Sequence, residues 1–159
     1  VELDHTTGRL HHERARQARL REPLPQPWPD RVLAIFRIIA GLIFITAGTM
    51  KVFKYPASPL TMPPLEPFTQ IWFGAWMELI GGILIVIGLL TRPVAFVLAG
   101  QMAAAYFMAH APQSFYPALN GGDAAILFCF VFLYFVFAGP GAWSADEFRT
   151  ARSPALSRA

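Results

Sequence analysis

Four apolar runs divide this chain, at about 32–50, 71–90, 93–109 and 121–138, each about as long as a bilayer is thick. None shows the two-residue alternation of a barrel strand, and a spanning helix needs roughly 17–25 mostly apolar residues. Helices satisfy their own backbone hydrogen bonds in hydrocarbon, so the pattern predicts an all-α polytopic membrane protein, a bundle of four transmembrane helices. Breakers punctuate the runs. Pro56, Pro59, Pro63, Pro64 and Pro67 forbid helix through most of the loop after the first run. Thr91-Arg92-Pro93 is a tight connection that makes the second and third spans antiparallel neighbours, and Gly139-Pro140-Gly141 stops the fourth. Ser144, with Glu147 three residues on, is a capping box that starts a short surface helix.

Composition agrees with one small membrane domain: of 159 residues, 55% are hydrophobic and only 14% charged, and those charges crowd the ends and loops. The net charge of +3 comes from Arg9, Arg14, Arg16, Arg19 and Arg21, just ahead of the first span. A basic segment in that place sets topology and touches anionic lipid; no nucleic-acid reading module fits beside four spans, so nucleic acid is not a partner. Arg92, Arg149, Arg152 and Arg158 fall on the same face as that tail, and the opposite face has only Lys51 and Lys54. Both termini are therefore expected in the cytoplasm, with the 50–70 and 110–122 loops outside. Residues 1–30 read as a basic, proline-rich, disordered tail, 31–143 as the transmembrane domain and 144–159 as a short cytoplasmic tail. The first span does not read as a cleaved signal, being long, carrying Arg37 and following a long basic segment.

The charges inside the spans carry the chemistry. On the second span Gly74, Glu78, Gly81, Gly82 and Ile85 recur at three and four residues, which places Glu78 on the small-residue face that meets other helices. On the first span Arg37, Gly41, Phe44, Gly48 and Lys51 do the same. At about 1.5 Å per residue, Glu78 lies roughly 10 Å below the outer surface, Lys51 near that surface and Arg37 toward the cytoplasm, so Lys51 is the expected partner of Glu78. His110 ends the third span and Asp123 begins the fourth on the same outer side, so Lys51, Glu78, His110 and Asp123 are expected to converge. Each has a plainer alternative: Asp123 with Asn120 caps a helix, His110 sits at the interface, Lys51 snorkels to headgroups, and Glu78 makes a structural ion pair.

Most redox chemistry fails against the inventory. Cys129 is the one cysteine, and only His110 among the histidines is near a span, so no intrachain disulfide, iron–sulfur cluster, bis-histidine haem or metal site is expected. Electron transfer, if this chain takes part in it, belongs to a diffusible quinone or to a partner.

Arg37 with Gly41, Gly48 to Lys51, Glu78-Leu79-Ile80-Gly81-Gly82, Gly88-Leu89-Leu90-Thr91-Arg92, Asn120-Gly121-Gly122-Asp123 and Gly139-Pro140-Gly141 through Ser144 and Asp146 together resemble the DoxX family of four-helix membrane proteins, related to DoxD. The resemblance spans roughly 31–148. Asp123 stands where many relatives carry Glu, and the tail and proline-rich loop are departures. It implies a small subunit of the bacterial cytoplasmic (inner) membrane, linked to quinone-reducing or terminal-oxidase systems. In that reading the Phe-rich bundle (Phe128, Phe130, Phe132, Phe135 and Phe137) holds an isoprenoid tail. Glu78, His110, Tyr106 or Asp123 would then bond or deprotonate the quinone head, with Lys51 and Arg37 as further candidates. Such a chain is an accessory subunit whose partners are lipid, a redox subunit and possible further copies of itself, with no covalently bound cofactor. The alternatives are a structural or assembly protein, whose charges only set helix register, and, third, a small transporter.

Overall fold

The computed structural model describes residues 28–57 and 64–151. Residues 1–27 of the expected disordered tail, 58–63 of the first loop and 152–159 at the C-terminus lie outside the described residues. Among the described residues all regular structure is helical: α1 (Trp28–Phe53), α2 (Gln70–Ile87), α3 (Thr91–Ala105) continued by a π-helical turn (Tyr106–His110), α4 (Pro117–Asn120), α5 (Asp123–Ala138) and α6 (Ala145–Ala151). α1 packs along α2 and α3 along α5, while contacts of α2 with α3 and of α1 with α5 join the two pairs. Three of these helices, α1, α2 and α3 with its π turn, are long and apolar enough to cross a membrane. The fourth, α5, has 16 residues.

The boundaries differ from the apolar runs for local reasons. Residues 28–30, read from sequence as the end of the tail, form the first turn of α1. Pro29 is tolerated there because first-turn N–H groups have no intrahelical partner, and Asp30 complements the positive end of the helix dipole. Thr69 caps α2, its hydroxyl accepting from Trp72 N–H at 3.2 Å. α2 stops at Ile87 rather than 90 because Gly88, at φ 71°, turns its N–H back on Leu84 O. α5 starts at Asp123 rather than 121 because the Asn120 side chain accepts from Gly122 N–H at 2.7 Å and holds that stretch in a turn.

Small residues set the closeness of α1 to α2, as the repeat of glycines predicts. A Cβ on Gly48 would stand 2.6 Å from Leu79 N, and one on Gly82 would stand 2.7 Å from Ile45 Cγ1. The core between the two helix pairs is aromatic and aliphatic: Phe44 meets Phe132 edge-on at 4.8 Å, with Ile85, Leu98 and Phe135 buried around them.

One end of the molecule is closed by a side chain. Arg37 has zero exposure and directs its N–H groups to five carbonyls: Nε to Pro140 (2.7 Å), Nη1 to Ile85 (2.5 Å) and Val86 (2.6 Å), Nη2 to Trp143 (3.1 Å) and, more weakly, Ala142 (3.4 Å). A guanidinium has five N–H donors, so the group is saturated. Gly88 lets it approach, since a Cβ there would fall 2.7 Å from Nη1.

The segment that receives Arg37 also caps the helices. Ser144 Oγ accepts from Glu147 N–H at 3.1 Å and starts α6, as the capping box predicts. Asp146 accepts from the N–H groups of Leu90 and Thr91, both at 2.8 Å, and so caps α3 across the turn. In return Arg92 of α3 donates to Val136 and Phe137 carbonyls, at 2.8 and 3.1 Å, at the end of α5.

Arg37→Leu would leave buried carbonyls of two segments without donors. It is expected to cost on the order of 3 kcal/mol or more in detergent, read by thermal or denaturant unfolding. Arg37→Lys, with three donors on a flexible stem, should recover little of that. A second expectation concerns acid. Burial opposes ionisation of Asp146, but hydrogen bonds from Thr91 and Leu90, with Arg149 nearby, outweigh it and hold its carboxyl below the ordinary range. A lowered carboxyl contributes stability that is present above the unfolded-state pKa and lost as pH falls through the folded one. The thermal midpoint should therefore drop from about pH 5 downward, and Asp146→Asn should lower the neutral-pH midpoint and flatten that acid limb.

Candidate functional site

The opposite end of the bundle is open. The last turn of α1, the first half of α2, and α3 with its π turn enclose a cavity of about 660 Å³ whose walls are mainly apolar. That volume lies within the roughly 300–1,000 Å³ of small-molecule sites. Its polar side chains are Lys51, Lys54, Gln70, Glu78, Gln101 and His110.

Lys51 and Glu78 form the ion pair that depth and helix face predict. Lys51 Nζ lies 2.5 and 2.6 Å from the two carboxylate oxygens, with the Glu78 side chain 6% exposed and the Lys51 side chain 32%. The lysine stem reaches inward from near the end of its helix, so one partner is enclosed and the other partly wet. Across the cavity, Gln101 donates from Nε2 to Gly74 O at 3.0 Å, tying α3 to α2. Gln70 Nε2 stands 3.8 Å from Met108 Sδ, a weaker contact between the same two elements nearer the open end. Gly100 contributes open space, for a Cβ there would meet nothing within 4 Å.

His110 is held from behind. Its Nδ1 is 2.9 Å from Asn120 O, and Asn120 is in turn fixed by its own side chain, which donates to Ser114 O at 2.8 Å and accepts from Gly122 N–H. The turn before α5 thus orients the imidazole at the end of α3.

The other predicted site residues lie elsewhere. Asp123 is exposed in the first turn of α5 and does not line the cavity; there it suits the helix dipole. Tyr106 also stands off the wall, its ring packed where a Cβ on Gly122 would fall 2.7 Å away. Arg37 is engaged with the five carbonyls of the closed end. The expected phenylalanine lining is corrected too: Phe132 and Phe135 are core, Phe130 and Phe137 are exposed on the outer flank, and none lines the cavity. With apolar residues on every side of α5, sequence periodicity had no way to assign its faces. Among the described residues no three His, Cys, Asp or Glu side chains come together as metal ligands.

Sequence reasoning passed over Gln101, Gln70, Lys54 and Gly100. Gln101 carried a usable signal, being a polar amide in a span with no charge between residues 93 and 109. The π turn carried none.

Fold and site define an all-helical, multi-pass membrane protein with an ion-paired cavity between its helices. The chain belongs to the DoxX family, whose model matches residues 32–111. That stretch includes Lys51, Glu78, Gln101 and His110. A Haemophilus influenzae protein, described as an uncharacterized protein, is 38% identical over 118 residues, which is 72% of this chain and 88% of that relative. No solved structure matches.

Removing one member of the pair strands the other. Glu78→Ala is expected to destabilise by roughly 3–5 kcal/mol, and combining Glu78→Leu with Lys51→Met should recover much of that loss. Unfolding of the single and double variants in the same detergent measures both.

Proposed function

We propose that this protein is an accessory subunit of a quinone-linked oxidoreductase system in a bacterial cytoplasmic membrane, with α1, α2, α3 and α5 as four spans and both termini in the cytoplasm. The observation that carries the reading is the cavity. Its apolar walls suit a ring and tail, and the Lys51–Glu78 pair and the imidazole supply the polar end a quinone head requires. Ile71, Phe73 and Met108 line it and are 48, 51 and 57% exposed on the flank that a bilayer covers, which fits entry from lipid. The orientation is supported by Arg92 and Arg149 at the closed end and by Lys51 and Lys54 alone at the open end. α5 is short for a span, and the Gly139-Pro140 and Asn120–Gly122 turns complete its path at either end.

In this reading Lys51 and Glu78 position the quinone head, and Glu78 exchanges protons with it. A second reading has its own observation: both Glu78 oxygens already accept from Lys51. The pair then serves only to hold α1 against α2, and the protein is a structural or assembly subunit.

Glu78→Gln separates the two, because it keeps shape and hydrogen bonding but cannot ionise. The quinone reading expects a folded protein of near-native thermal midpoint whose quinone-dependent respiration, measured in membranes, is abolished. The structural reading expects stability and activity to fall together and to return with restabilising changes at Lys51. Full activity in a folded Glu78→Gln protein would sink the proton-handling assignment.

A further inference from the structure

His110 reaches the cavity only because the helix that carries it changes its winding. Counted at about 100° per residue, His110 falls on the side of α3 opposite Gln101. The π turn, closed by Ala111 N–H on Tyr106 O at 2.9 Å, winds more slowly and leaves both side chains on the cavity wall. Asn120 O then settles the tautomer. A carbonyl only accepts, so the Nδ1 facing it carries the proton, and in the neutral ring Nε2 is the nitrogen with the lone pair. Among the described residues Nε2 has no hydrogen-bond partner, and the half-buried residue lines the cavity.

Around this acceptor the wall is asymmetric. Lys51 has three N–H groups and gives two to Glu78, which leaves one to donate; Glu78 keeps further lone pairs that accept. A hydroxyl satisfies both kinds of group at once, donating to Nε2 or the carboxylate while accepting from Lys51. Of these three groups a carbonyl can accept from Lys51 alone, and it sets its own lone pairs against that of Nε2.

We infer that the cavity recognises a hydroxyl-bearing head, a dihydroxy aromatic ring with an apolar tail, in preference to the corresponding dicarbonyl. The inference rests on the quinone reading and deepens it: of the two redox forms, the site holds the quinol. His110 is the residue that discriminates them, with Asn120 and the π turn as its positioning elements.

The test compares a decyl-substituted benzoquinol with its benzoquinone, titrated anaerobically into the full-length protein in lipid nanodiscs. Intrinsic tryptophan fluorescence or calorimetry gives Kd. One additional hydrogen bond corresponds to roughly fivefold to tenfold tighter quinol binding. His110→Leu should weaken quinol binding to the level of the quinone and leave quinone binding in place. His110→Gln, which restores an acceptor, should bring back part of the difference. Gly100→Leu, which projects into open space and favours helix, should weaken both forms with no loss of thermal stability.

Equal affinities, or tighter quinone binding, would overturn the inference while leaving the quinone site standing. A preference that survives His110→Leu in a protein of unchanged thermal midpoint would overturn it as well, and so would binding indifferent to Gly100→Leu. If neither form binds the native protein, the inference and the quinone reading both fall.

Discussion

A guanidinium enclosed away from water has to donate every N–H it has, and the fold is arranged around that requirement at Arg37. Its acceptors are Ile85 and Val86 at the end of α2 and Pro140, Ala142 and Trp143 in the turn after α5. The α2 carbonyls are among those that a helix C-terminus leaves without intrahelical partners, and the turn carbonyls have no ladder to join. One buried cation therefore resolves the unpaired backbone of two separate segments, and it does so only if both are folded against α1. The rest of that end follows. Gly88 has to lack a side chain because Arg37 passes over it, and Ser144 and Asp146 are delivered to the starts of α6 and α3 by the turn the arginine holds.

The two ends of α1 differ in how completely their charges are used. At Arg37 every donor is met by backbone and nothing remains for a ligand. At Lys51 the cation is met by a carboxylate, one N–H is left over, and a cavity lies alongside. A pair in that condition holds two helices together and still presents unsatisfied groups, and the proposed quinone site is placed at the open end for that reason. The family match, residues 32–111, includes the polar groups of the cavity but stops short of the 139–146 segment that closes the other end. Within the matched stretch the site is built from α1, α2 and α3 alone, while the Asn120 carbonyl that orients His110 comes from beyond it.

The apolar flank is the third constraint. Large residues such as Ile39, Ile43, Phe96, Val97 and Phe130 are exposed on the outside of the helices, an arrangement that water does not support and lipid does. Against such a solvent the hydrophobic effect gives no advantage to bringing helices together. Close backbone approach at Gly48 and Gly82 and the polar contacts at each end then carry the association.

By itself the sequence determined the class of protein and most of its elements. Length of apolar runs, proline and glycine punctuation and the Ser144 cap are local features, and local features survive in one dimension. The facing of Glu78 and its pairing with Lys51 were also legible, since helical periodicity fixes the face and rise per residue fixes the depth. Only the tertiary structure decided the rest. Arg37 bonds to backbone carbonyls, which every residue has, so no side-chain pattern marks its partners. Asp146 caps a helix that begins 55 residues earlier, a contact set by where two chain segments meet rather than by spacing. His110 was legible as a residue at the end of the third span, but its place on the cavity wall depends on one slow turn of helix, and Asp123, expected beside it, is exposed in the first turn of α5. Depth along a helix can be counted from sequence; the winding that decides which way a side chain points at the helix end depends on what packs against it.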